Sequence, residues 1–193
     1  MGRPRKFDFE QAVRTASDLF WRKGYDGTSV QDLTAAMGIT PPSFYFAFVS
    51  KEALFLRVVD AYQQDLAAIV ADAFSRPGAR EGIAGLLDGF SDLFTDPVRA
   101  PGCLILNNAL PLIDSHPFRT RFAEERDAFR IALCQRLERA KAEEAGFPAS
   151  INPDAFARLI VAVLWGLAVE AQSGAGRDDL RRASAALLAL WPS

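Results

Sequence analysis

The chain has 193 residues, 50% of them hydrophobic, with 22 Lys and Arg set against 24 Asp and Glu for a formal net charge of −2. That is enough apolar material for one large or two small domains with a sizeable core. The longest apolar run, Leu159 to Val169, is too short to span a bilayer, and the only cysteines, Cys103 and Cys134, imply no disulfide framework. With a polar N-terminus that does not read as a signal peptide, the expected location is the cytoplasm, with no membrane partner.

Gly2-Arg3-Pro4-Arg5-Lys6 opens the chain, ahead of an amphipathic helix predicted over Phe9 to Lys23 with Ala12, Ala16, Leu19 and Phe20 on its inward face. The basic segment has two readings. It is a solvated tail, the usual fate of chain termini, or an arm whose Arg3 and Arg5 enter a narrow A·T minor groove.

Thr28 followed three positions later by Gln31 reads as a capping box, so a second helix is expected to begin near Ser29 with Val30, Leu33 and Met37 on one face. Gly38 supplies the left-handed geometry that ends a helix. The turn Gly38-Ile39-Thr40 leads into a third helix, with Thr40 as N-cap and Pro41 at the first helical position, where a missing N–H costs nothing. Phe44 and Phe48 face the core together, leaving Ser43, Tyr45, Phe46 and Ala47 outward. Ser50 then caps a long helix that begins at Lys51, whose N-terminal amides suit a phosphate. Two short helices joined by a glycine turn outline a helix-turn-helix, which makes double-stranded DNA the first partner to test. The early basic residues Arg14, Arg22, Lys23 and Lys51 join the arm in a local positive face, so overall acidity does not argue against DNA.

Beyond Lys51 no strand-like alternation or internal repeat is visible, and an all-α fold is expected. Helices are predicted over Lys51 to Phe74, Arg80 to Phe94, Pro117 to Glu144, Pro153 to Gln172 behind an Asn152 cap, and Asp178 to Leu190. A short apolar segment, Cys103 to Leu110, interrupts them. The helix from Pro153 is apolar on every side between Arg158 and Glu170, so it is buried on more than one side: against its own core, or also against a second protomer. In the second case Leu159, Val163 and Gly166 pair with Leu180, Ala183, Leu187 and Trp191 of the last helix in an isologous four-helix interface. In the first case the same residues are ordinary core.

The N-terminal third resembles the TetR family of bacterial transcriptional regulators. The likeness rests on Ala12-Val13, Asp18-Leu19-Phe20, Gly24-Tyr25, Thr28-Ser29, Gly38-Ile39-Thr40, Phe44-Tyr45 and Ser50-Lys51-Glu52. It implies a DNA-binding domain over residues 1–50, a helical effector-binding and dimerisation domain over residues 51–193, and a homodimeric repressor that leaves a palindromic operator when a small effector binds. It further implies that Thr28, Ser29, Tyr45 and Lys51 contact phosphate while Thr40, Pro41, Pro42, Ser43 and Phe46 face the groove. The chain departs from the family's frequent Lys-Gly pair at Pro41 and Pro42 and from its frequent histidines at Phe46 and Ala47. Part of the readout is therefore expected to be apolar contact with thymine methyls from Phe46 or Pro42, with a hydroxyl contact from Thr40 or Ser43.

A ligand cavity enclosed by the middle helices is likewise implied. Its candidate lining is Asn107 and Asn108, side by side in an apolar segment, with Phe90, Phe94, Phe122, Phe129 and Trp165. Aromatic residues at this spacing are also what plain core packing needs, and an Asn can simply cap a carbonyl. Cys103 after Pro101-Gly102 raises a second function class, a thiol-based redox sensor, if a helix N-terminus favours its thiolate; an inert buried thiol is the alternative, and Cys134 reads as core. The single histidine, His116, has no cysteine or carboxylate cluster beside it, so no metal and no cofactor are expected. An enzyme is not expected either, because there is no Gly-rich phosphate loop or nucleophile elbow, and Glu124-Glu125 and Glu143-Glu144 read as solvated, salt-bridged faces.

Overall fold

The computed structural model describes residues 8–109 and 118–191, which form nine α-helices and no strand among them. These are α1 (Phe9–Lys23), α2 (Val30–Met37), α3 (Pro41–Phe48), α4 (Lys51–Ser75), α5 (Ala79–Phe94), α6 (Leu104–Ala109), α7 (Arg119–Glu143), α8 (Pro153–Gln172) and α9 (Arg177–Leu188). The all-α expectation holds, and element bounds agree with the sequence reading to within a residue or two. No described helix is long and apolar enough to cross a membrane. His116, Pro117, Arg3 and Arg5 lie outside the described residues.

The chain divides into two compact units, one up to Gln63 and one from Gln64, so the division falls within α4. In the first unit α1 packs on α2 and α2 on α3. Ala12, Ala16, Phe20, Leu33, Phe44, Phe48 and Phe55 are buried at helical spacings from each element, which is why three short helices close around one core. Aromatic edges fix the packing: the Phe20 ring meets Phe55 edge-on at 5.0 Å and Trp21 meets Tyr62 at 5.0 Å. Gly38, at φ 66° and ψ 34°, ends α2 and lets the chain turn into α3.

In the second unit α5, α7, α8 and α9 pack around Leu86, Leu87, Leu133, Leu137, Leu164, Leu167, Leu180 and Leu187. Glu144, just past α7, accepts the backbone N–H of Ala79 at 3.0 Å and so satisfies an open amide at the start of α5. Asp92 pairs with Arg177, and Arg181 lies 3.6 Å from Asp88, which joins α5 and α9 along their exposed edge.

The last two helices are corrected in detail. On α9 the buried stripe is Leu180, Ser184 and Leu187, so both leucines belong to the protomer's own core and not to a free interface. Trp191 packs edge-on against Phe147 at 5.2 Å and Phe156 at 5.5 Å, again within the protomer. Helical spacing paired Leu180 and Leu187 correctly, but they lie on the face that covers α5, with Ser184 between them in place of the expected Ala183. The outward residues of α9 include Ala183 and Ala186, and Leu190 is exposed just past its end. On α8 the outward stripe is Leu159, Ala162, Gly166 and Val169, with Trp165 beside it and Val163 half-buried. A side chain at Gly166 would meet open space.

Candidate nucleic-acid interface

The interface begins with the way α2 starts. Ser29, in extended geometry, accepts the Asp32 N–H at 3.0 Å, and the Asp32 carboxylate accepts the Ser29 N–H at 2.9 Å, forming a reciprocal capping box. This is one residue later than Thr28 and Gln31, and the reason is burial. Thr28 is 0% exposed, and its hydroxyl donates to the Gly24 carbonyl at 2.7 Å, so this side chain presents nothing to a phosphate. Ser29 is exposed, but its hydroxyl also donates to Asp32. Hydrogen bonds from the Ser29 hydroxyl and backbone, followed by that of Lys23, hold the Asp32 carboxyl below the usual carboxylate range. The box is thus complete above the ordinary carboxylate pKa and is lost only as pH falls through the lowered folded-state value.

Lys51 is tied inward. Its ammonium donates to the carbonyls of Tyr25 at 3.0 Å and Thr28 at 3.1 Å, and lies 4.0 Å from the centre of the Tyr25 ring. Burial pushes its pKa down, partly opposed by the charge of Asp26. It acts here as a clamp on the turn between α1 and α2, with two of its three N–H donors engaged. Hydrogen bonds from a charged donor contribute roughly 1.5–3 kcal/mol each in favourable cases. Lys51→Met is accordingly expected to destabilise the first unit by ~2 kcal/mol, measured by urea unfolding; unchanged stability would mean the ammonium is not a clamp.

The outward face of α3 is open. Thr40, Pro41, Pro42, Ser43 and Tyr45 are exposed and Phe46 is 94% exposed, whereas Phe44 and Phe48 are buried beneath them. With Pro42 and Val49 also exposed, Phe46 belongs to an apolar patch rather than standing as a stray side chain, which makes this face the candidate contact surface. Thr40 caps α3 by accepting the Ser43 N–H at 3.4 Å, and the two hydroxyls lie 3.0 Å apart, so each has a partner in the other. The sequence reading missed Val49. It is 77% exposed at φ 67°, a conformation that β-branched residues seldom adopt, directly after the last turn of α3. No glycine announces that turn, so no sequence signal was available.

The charge around this face is less favourable than the early cations suggest. Between residues 8 and 63 there are five basic and seven acidic side chains. Arg22 pairs with Asp18 at 2.8 Å, Lys23 with Asp32 at 3.0 Å, and Arg57 lies 5.3 Å over the Phe9 ring. Adding Arg3, Arg5 and Lys6 turns a deficit of two charges into a surplus of one. By sequence count, the surplus of positive charge in residues 1–63 rests on these three cations.

Among the proposed ligand-lining residues, Phe90, Phe94 and Phe122 are buried and Phe129 is half-buried. Phe90 lies 5.5 Å from Phe94 and 6.1 Å from Phe129, so these rings do form one aromatic cluster. Asn108 is buried, and its amide donates to the Leu104 carbonyl at 2.7 Å, one turn back on α6. Asn107 is half-buried next to it. Trp165 is corrected: it is 38% exposed on the outward side of α8, with the Arg126 guanidinium 5.6 Å from the ring centre, and lines no interior site. Cys103 is half-buried immediately before α6. Burial and the nearby Glu138 push the Cys134 thiol pKa up, away from thiolate chemistry. No group of His, Cys, Asp and Glu that would hold a metal occurs among the described residues.

Three short helices with a glycine turn and one fully presented helix face define a helix-turn-helix regulator of transcription. The chain belongs to the TetR family: the model for bacterial regulatory proteins of the tetR family matches residues 12–58, and that for the tetracyclin repressor-like C-terminal domain matches residues 79–187. It is 30% identical to the HTH-type transcriptional repressor ComR of Escherichia coli over 99% of this chain and 92% of that protein. Over 62% of this chain and 59% of the relative, it is 38% identical to the repressor BdcR of the same organism. A structure of the TetR family regulator CifR, a cysteine mutant complexed with 26-base-pair operator DNA, shares 35% identity at a TM-score of 0.88, covering 99% of this chain and 100% of that one. By name, these relatives are transcription regulators.

Proposed function

We propose that this protein is a cytoplasmic repressor that binds a palindromic operator as a homodimer and releases it when a small molecule enters the second unit. The observation that carries the reading is the presented face of α3, with Phe46 in water and its neighbours exposed, on a helix seated by the buried pair Phe44 and Phe48. The operator complex of CifR and the repressor names of ComR and BdcR support the same reading.

Dimerisation is supported by the outward apolar stripe of α8, where Leu159, Trp165 and Val169 are all more than a third exposed and Gly166 leaves room for a close helix crossing. Ala183 on α9 adds a further small, exposed residue. Two helix-turn-helix units related by a twofold axis read two half-sites, so a monomer forfeits half of the contacts. The aromatic cluster of Phe90, Phe94 and Phe129 is the proposed effector site, with Phe122 and Asn107 as further candidates. Effector and operator then compete through one coupling free energy, and each lowers the affinity for the other by the same factor.

The test is selection of bound duplexes from a random library, followed by Val169→Glu. The wild type is expected to sediment at twice the 21.1 kDa chain mass and to enrich an inverted repeat. The variant is expected to sediment as a monomer and to lose at least about tenfold in operator affinity. A variant that remains dimeric with full affinity would remove the α8 interface, and enrichment of no sequence would remove the operator.

A further inference from the structure

Resting on the reading of α3 as the helix that meets DNA, we propose that its specificity comes from an apolar stripe, Pro42, Phe46 and Val49, that recognises the C5 methyl groups of thymines in the major groove. Pro42 and Phe46 are four apart and so share one side of α3, Val49 follows directly past the end of that helix, and all three are exposed. From Ile39 to Ser50 there is no Arg, Lys, His, Asn, Gln, Asp or Glu. The side chains that make bidentate contacts to guanine or adenine are therefore absent from this helix. Its remaining polar groups are weakly disposed for base reading, since the Thr40 and Ser43 hydroxyls already lie 3.0 Å from each other and Tyr45 is edge-on to Phe44 with centroids 5.4 Å apart.

What a base pair offers such a surface is limited. Among the major-groove edges only thymine carries an apolar group, its methyl, so an apolar stripe distinguishes T from the other bases by burying that methyl. Phe46 has the reach and the exposed area to do so, and Val49, held outward at φ 67°, extends the stripe beyond the end of the helix. The half-site is thus expected to contain at least one thymine whose identity matters through its methyl group alone.

The experiment uses the full-length protein and the selected duplex, with each thymine replaced in turn by uracil, which pairs identically but lacks the methyl. Wild type is expected to lose about fourfold in affinity per critical methyl, the equivalent of ~0.8 kcal/mol for one buried methyl-sized group. Phe46→Ala, whose side chain supports no core packing, is expected to bind thymine and uracil duplexes equally at its principal position. Wild type indifferent to every uracil replacement would overturn the proposal while leaving operator binding intact. A uracil penalty of equal size in wild type and Phe46→Ala would overturn the role of Phe46, since the methyl would then act through another group or through DNA shape. Absence of any preferred duplex would defeat the reading of α3 itself, a distinguishable failure.

Discussion

Replacing Arg3, Arg5 and Lys6 together by alanine is expected to weaken DNA binding more than removing any single charge on the folded helices. Counterion release makes log K fall with log salt by about 0.9 per neutralised phosphate, so loss of three contacts flattens the slope by up to about 2.7. Between residues 8 and 63 acids outnumber bases, Arg22 and Lys23 are paired with Asp18 and Asp32, and Lys51 is turned toward two carbonyls. Only the arm leaves the unit net positive. The triple variant is expected to keep its helical circular dichroism and its preference among duplexes, because phosphate contacts set register and affinity while base contacts set sequence. An unchanged salt slope would mean that the arm is a solvated tail and that phosphates are met elsewhere.

The second large effect is on stability. Phe20 is 0% exposed, with Phe55 edge-on at 5.0 Å and Tyr25 at 6.1 Å, so Phe20→Ala opens a cavity at the centre of the first unit. Substitutions of this kind cost about 3–5 kcal/mol, a large part of the stability of a small domain. Hydrogen exchange of the intact chain is expected to show lost protection across α1, α2 and α3 with protection retained in α5, α7, α8 and α9, and with it loss of DNA binding. Full protection of α1 to α3 in the variant would contradict this account of the core.

The helices were legible because their signals are local. Gly38 closing α2, Thr40 with Pro41 opening α3 and Asn152 with Pro153 opening α8 act within a few residues, and each stands where the pattern predicts. The start of α2 shows the limit. Thr28 with Gln31 and Ser29 with Asp32 both satisfy the capping pattern, and only the burial of Thr28 beneath Gly24 and Leu19 selects the second. The inward ties of Lys51 were not legible for a related reason: the carbonyls of Tyr25 and Thr28 are 26 and 23 positions away, and nothing local reports them. Leu180 and Leu187 have the right spacing for either side of α9, and packing against α5 decides which. Trp165 faces outward because the inward positions of α8 are taken by Ile160, Val161, Leu164 and Leu167.

The presented face of α3 was visible in the sequence because Phe44 and Phe48 fix the helix phase and leave Phe46 on the far side. Its lack of amide and charged side chains was equally visible. The charge deficit of residues 8–63 was open to the same count; which of the cations are already paired in space was not.

The central claim is that α3 reads operator DNA, and the most direct measurement is a titration of the full chain against the library-selected duplex and a scrambled duplex of equal length, at several salt concentrations. The selected duplex is expected to bind at least about a thousandfold more tightly than the scrambled one, with both affinities falling steeply as salt rises. Equal and weak binding to the two, insensitive to Phe46→Ala, would contradict it.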